Sequence, residues 1–127
     1  MKKPIALAGC VFAFTAILLG AFGAHALKDV LASEGKTDVW QTAVDYQMWH
    51  ALALFALSFT VTGPTSIKTV ALLFTTGIIA FSGSLYWLAL GGPGWLGPIT
   101  PLGGLCLMAG WAVLASALMR REKGRRA

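Results

Sequence analysis

The stretch TVALLFTTGIIAFSGSLYWLALGGPGWLGPITPLGGLCLMAGWAVLASALM, Thr69 to Met119, runs 51 residues without a charged side chain. A transmembrane helix needs about 20 mostly apolar residues to cross ~30 Å of hydrocarbon, so this stretch is long enough for two crossings. Its punctuation divides them. Gly91-Gly92-Pro93-Gly94 is a strong stop, and Thr100-Pro101 offers a hydroxyl able to cap a helix, followed by proline at the first helical position. Two further charge-free runs lie upstream, Pro4 to Leu27 and Tyr46 to Ile67. The second is broken at Gly63-Pro64, because proline cannot continue a helix and restricts the residue before it. Lipid supplies no hydrogen-bond partner for backbone N–H and C=O groups, so helices are the expected form of these runs. The reading is all-α: a four-helix transmembrane bundle in one domain, with spans at about 4–27, 42–62, 67–90 and 101–119. The second span is expected to start as an exposed turn near Val39 and to enter the membrane near Tyr46.

Composition agrees. Of 127 residues, 57% are hydrophobic and 12% charged, against roughly 25% charged in a soluble domain. Four spans put both termini on one side, and that side holds Lys2, Lys3, Lys68, Arg120, Arg121, Lys123, Arg125 and Arg126 against only Lys28 and Lys36 on the other. The Lys/Arg excess places both termini in the cytoplasm. Acids complement this, leaving +7 inside and −2 outside of the chain's net +5. The basic tail reads as a topology signal that meets anionic headgroups rather than as a nucleic-acid patch, so the bilayer is the expected partner and nucleic acid is not.

Two processing signals fall in the first span. Leu7-Ala8-Gly9-Cys10 has the form of a lipoprotein box, but seventeen membrane-like residues follow the cysteine instead of a polar tether. Ala24-His25-Ala26 has the form of a signal-peptidase site, yet the apolar run before it exceeds the 7–15 residues of a signal peptide. A retained span is expected. Cys10 and Cys106 fall at different depths, so a disulfide between them is not.

Packing in lipid relies on close approach of small residues. Gly9, Ala13, Ala16, Gly20 and Ala24 form such a ridge on the first span; Thr76, Ala80 and Ser84, with Gly77 and Gly83 beside them, do so on the third, and Gly103, Cys106 and Gly110 on the fourth. Trp40, Tyr46, Trp49, Tyr86, Trp87 and Trp95 are expected near the outer boundary, leaving Trp111 in the inner half. The polar residues point to that outer end. His25 lies one turn from the end of the first span and His50 one turn below Tyr46, so the two rings are expected at similar depth, with Gln47 beside them. An ionisable group inside a span is a functional candidate. His25, Tyr46, Gln47 and His50 are therefore the candidate polar site. Two histidines without a third ligand make a poor metal site, so neither metal nor cofactor is expected. The uncharged connection Gly91 to Ile99, with Pro98, is expected to fold back over the outer mouth.

Gly20 to Leu27, Thr42 to Leu54, Phe81 to Tyr86, Gly97 to Gly104 and Gly110-Trp111 resemble successive blocks of the YgdD/YwdK-like family of small bacterial inner-membrane proteins. The resemblance implies a multi-pass inner-membrane protein, and it brings no activity, substrate or catalytic residue. His25, Tyr46, Gln47, His50 and the block Thr100, Pro101, Leu102, Gly103 and Gly104 fall on its motif positions. The function expected is a non-enzymatic accessory or scaffold whose partners are another membrane protein or a second copy of itself. The alternative is small-molecule, lipid or ion handling in an outer-leaflet pocket near His25 and His50.

Overall fold

The computed structural model describes residues 1–60 and 63–126. Its long helices are α1 (Lys3–Ala24), α3 (Thr37–Leu57), α4 (Pro64–Ala89) and α5 (Ile99–Arg126). A short α2 (Lys28–Ser33) follows α1, and a 3-10 turn at Gly94–Leu96 precedes α5. No strand occurs among the described residues. The end of the expected second span, residues 61–62, lies outside them.

Three of the long helices are long and apolar enough to cross a membrane: α1, Thr65–Ala89 of α4, and the segment Gly94–Arg125 that contains most of α5. α3 does not qualify on composition, because Gln41, Asp45, Gln47 and His50 lower its hydropathy. It begins at Thr37, two residues before the exposed turn expected near Val39. Its position explains the polarity. α3 packs between α1 and α4, and α5 packs along α4, with Leu107 and Trp111 reaching α3. Neighbouring long helices run antiparallel, as the pairings of Gly9 with Ala51 and Phe55, Gly23 with Trp40, and Gly103 with Phe81 require.

The close approaches are made by glycine. A methyl group on Gly9 would lie 2.8 Å from both the Ala51 carbonyl oxygen and the Phe55 nitrogen, so α1 rests on the backbone of α3. Gly77 meets Leu107, Gly103 meets the backbone of Phe81, and Gly110 meets the Phe74 ring, which together form the α4/α5 seam. The expected ridge is only partly used. Ala16 is fully buried and Gly20 touches Val44, but Ala24 is exposed, since the helix ends there and Gly23 faces Trp40 instead. Gly83 is also exposed with nothing near it. It shares the outward face of α4 with Leu72, Ile79 and Trp87, a quarter-turn or more away from Gly77 and Ser84.

One apolar cluster joins Leu54 and Leu57 of α3, Ile67, Val70, Phe74 and Ile78 of α4, and Leu107 of α5, with Ile5 and Phe12 of α1 against it. A second sits at the α2 end, where Leu31 inserts against Trp40, Val44 and Ala89. At the opposite end the Lys2 backbone N–H donates to the Ser58 carbonyl (2.9 Å) and its ammonium to the Thr60 carbonyl (2.8 Å), fastening the start of α1 to the end of α3. Cation and helix C-terminus attract there. α4 stops at a Schellman turn: Gly91, at φ +83°, donates to Leu88, and Gly92 donates to Trp87 at 2.8 Å. The connection that follows buries Leu96 and leaves Trp95 exposed. α5 starts at Ile99, so Thr100 and Pro101 lie within its first turn.

Gly9→Ala and Gly103→Ala are expected to destabilise the protein by about 1–3 kcal/mol each, through forced separation of helix backbones. Gly83→Ala, made where nothing crowds the new methyl group, is expected to leave thermal unfolding in detergent unchanged.

Candidate functional site

Gln47 stands at the middle of α3 and is buried to 4% exposure, so each of its amide atoms must find a partner inside the protein. All do. The amide nitrogen donates to the Phe12 carbonyl (2.9 Å) and to the Thr15 hydroxyl (2.8 Å) on α1, while the amide oxygen accepts from the Tyr86 hydroxyl (2.9 Å) on α4. Only one orientation of the amide works, because the reverse would turn its oxygen toward the Phe12 carbonyl. Thr15 donates in turn to Val11, one turn back in α1 (2.9 Å). A single side chain thus joins three helices.

Trp40 reinforces the same junction nearer the α2 end. Its indole N–H donates to the Leu19 carbonyl (2.8 Å), and its ring meets that of Tyr86 edge-on, with centroids 4.8 Å apart. Gly23 is small because this indole lies across it.

His50, one turn further along α3, completes the polar interior. A carbonyl only accepts, so Nδ1 carries the proton and donates to Tyr46 (2.7 Å). The Trp111 indole only donates, so Nε2 is the acceptor of its N–H (3.1 Å). The geometry therefore selects the neutral ring protonated on Nδ1, with both nitrogens engaged. Phe74 packs edge-on against the same ring at 5.3 Å and against the Trp111 ring at 5.1 Å. Ser84 donates to Phe81 (3.0 Å), and its oxygen lies 2.6 Å from the Thr100 hydroxyl, which ties α4 to α5 rather than capping α5.

The expected four-residue site is not assembled as one group. Gln47 and His50 are buried, and Tyr46 is half-buried against Phe81 with its carbonyl, not its hydroxyl, used by His50. His25 is exposed at the end of α1. Since Phe12 and Thr15 lie opposite Gln47, and Gly9 opposite Ala51, His50 sits near the level of residue 12. About thirteen residues of helix, or ~20 Å, then separate the histidines in depth. The difference follows from the pairing: α3 packs antiparallel on α1 with Gln47 opposite Phe12 and Thr15, which sets His50 about halfway along α1 and leaves His25 at its end. Of the connection and α5 positions, Pro98 is exposed, Gly103 is in the seam, and Gly104 lies beside Phe81 at an ordinary 3.6 Å. A groove of about 430 Å³ at the end of α4 is lined by Gly83, Tyr86, Trp87, Leu90 and Pro93.

Thr15, Trp40, Tyr86 and Trp111 join this site without any motif in the sequence that marks them as its members. The available signal was the bare amide of Gln47 and imidazole of His50 in apolar surroundings, which demand donors; buried Tyr and Trp are the natural suppliers.

Residues 19–104 match the model of a family described as a protein of unknown function (DUF423). Among curated proteins, a UPF0382 membrane protein of Staphylococcus epidermidis is 42% identical over 120 residues, covering 93% of this chain and 97% of the relative. The chain belongs to this family. Bacillus subtilis YwdK, a UPF0382 membrane protein, is 39% identical, with 93% of this chain and 98% of its own covered. The Escherichia coli UPF0382 inner membrane protein YgdD is 35% identical, with 94% and 89% covered. No solved structure matches the chain. Like these relatives, the protein is a membrane protein, and the matched region includes Trp40, Gln47, His50, Tyr86 and Thr100.

Tyr86→Phe deprives the Gln47 oxygen of its donor and is expected to cost about 0.5–2 kcal/mol, the range of interhelical hydrogen bonds in membranes. Gln47→Leu removes the whole junction and is expected to lower the unfolding temperature further. Nitrogen-15 NMR of the protein in lipid is expected to show His50 in the Nδ1-protonated form, and Trp111→Phe to shift its Nε2 resonance.

Proposed function

We propose that the chain is a four-pass membrane protein with both termini in the cytoplasm, acting as a non-enzymatic accessory or scaffold. The observation that carries the four-pass reading is the placement of α3. It runs the full length of α1, from Gly23 against Trp40 at one end to Lys2 against Ser58 at the other, and α4 flanks it. A helix held between two membrane-capable helices along their length shares their slab of bilayer. Its polar residues are tolerated because Gln47 and His50 turn inward and are bonded there. With four crossings, the eight Lys/Arg of one side set the orientation.

The scaffold reading rests on the saturation of that interior. Gln47 and both nitrogens of His50 are committed to protein partners. What the molecule offers outward is apolar: Leu7, Phe14 and Ile17 on α1, Leu72, Ile79 and Trp87 on α4, Leu105 and Met108 on α5. The glycine seams are consumed within the protein, so a protein partner meets these larger side chains.

Single cysteines at Ser33 and Gly124, introduced in a Cys10→Ala/Cys106→Ala background, test the topology. An impermeant thiol reagent is expected to reach position 33 in intact spheroplasts and position 124 only after lysis; the reverse pattern, or labelling of both sites from the same side, overturns the reading. For the scaffold role, mild extraction at native expression is expected to bring down a membrane partner that is lost in Ile79→Trp, whereas a lone monomer counts against it.

A further inference from the structure

Where α1 and α4 both lean on α3, they barely meet each other. The gap stays open because Ala8 and Ala71, on its two walls, are too short to close it. Ile5 and Leu72 form the banks, Leu54 of α3 is the floor, and the groove holds about 280 Å³. Leu72 is 67% exposed, so the groove opens outward, toward lipid in a membrane protein. Its end is marked by Lys68, the only charged residue between Asp45 and Arg120. A lysine on an apolar flank lays its stem along hydrocarbon and extends its ammonium to the headgroup level. The Lys2 ammonium lies at the same end of the molecule, and the start of α4 contributes a partial positive charge of the same sign.

We propose that this groove binds one anionic phospholipid, with an acyl chain along Ile5, Ala8, Ala71 and Leu72 and the headgroup phosphate facing Lys68. Any bilayer supplies hydrocarbon to an apolar cleft that opens on it, so the chain secures occupancy and the charge selects the headgroup. A zwitterionic lipid brings equal chains but no net charge to meet the ammonium. This inference requires the chain to lie in a bilayer and is independent of the scaffold role.

The test is native mass spectrometry of the full chain in mild detergent with equal amounts of phosphatidylglycerol and phosphatidylcholine bearing identical chains. One phosphatidylglycerol is expected to be retained about fivefold over phosphatidylcholine, the contribution of one lysine near an anionic surface. Lys68→Gln is expected to bring the two lipids to parity. Ala71→Phe, which fills the groove, is expected to remove the adduct of both, and Ala8→Phe fills it from the other wall should the first variant lose its helical circular dichroism. Arg121→Gln, on the exposed tail, is expected to leave the preference intact. Equal retention by the parent protein, an unchanged preference in Lys68→Gln, an adduct that survives the filled groove, or a preference lost with Arg121 would each overturn the proposal.

Discussion

The amide of Gln47 is the constraint on which the other packing decisions depend. A primary amide in an apolar interior has two donors and an acceptor to satisfy, and leaving any of them bare costs about 1–3 kcal/mol. One flat group bonded to Phe12 and Thr15 on one side and Tyr86 on the other fixes three helices in depth and rotation together. Apolar contacts do not do this, since a leucine slides by a turn with little loss. In lipid, where the medium is as apolar as the side chains, such directional bonds carry more of the specification than they do in water.

That bond network requires the helices to be close, and glycine provides the closeness. Gly9 lets α1 rest on the backbone of α3, and Gly23 admits the Trp40 indole that donates to Leu19. Gly77, Gly103 and Gly110 do the same between α4 and α5, bringing Trp111 within reach of His50. His50 is thereby tied to both its own helix and α5, in a single tautomer. Both ring nitrogens have protein partners.

Much of this was legible in the chain. Long uncharged runs mark membrane helices because lipid penalises charge, and Gly91 and Pro64 mark ends because of what their backbones permit. Gln47 and His50 stood out for the same reason, as polar groups where none is cheap. Less legible was which small residues make seams. Gly9 and Gly83 are indistinguishable as letters, and only the neighbour opposite decides that one is crowded and the other free. The aromatic set divided likewise: Trp49, Trp87 and Trp95 are exposed, whereas Trp40 is buried and Tyr86 supplies a core hydrogen bond.

The sequence by itself determined an all-helical membrane protein and the polar residues that its interior has to accommodate, because hydropathy and helix punctuation are local properties. Depth and pairing were settled only by the tertiary structure. The pairing of Gln47 with Phe12 and Thr15 sets His50 about halfway along α1, and antiparallel packing leaves His25 exposed at the end of α1, about 20 Å away. Whether a polar side chain is a site or a strut depends on which partner arrives at its open valence, and that partner lies dozens of residues distant in the chain.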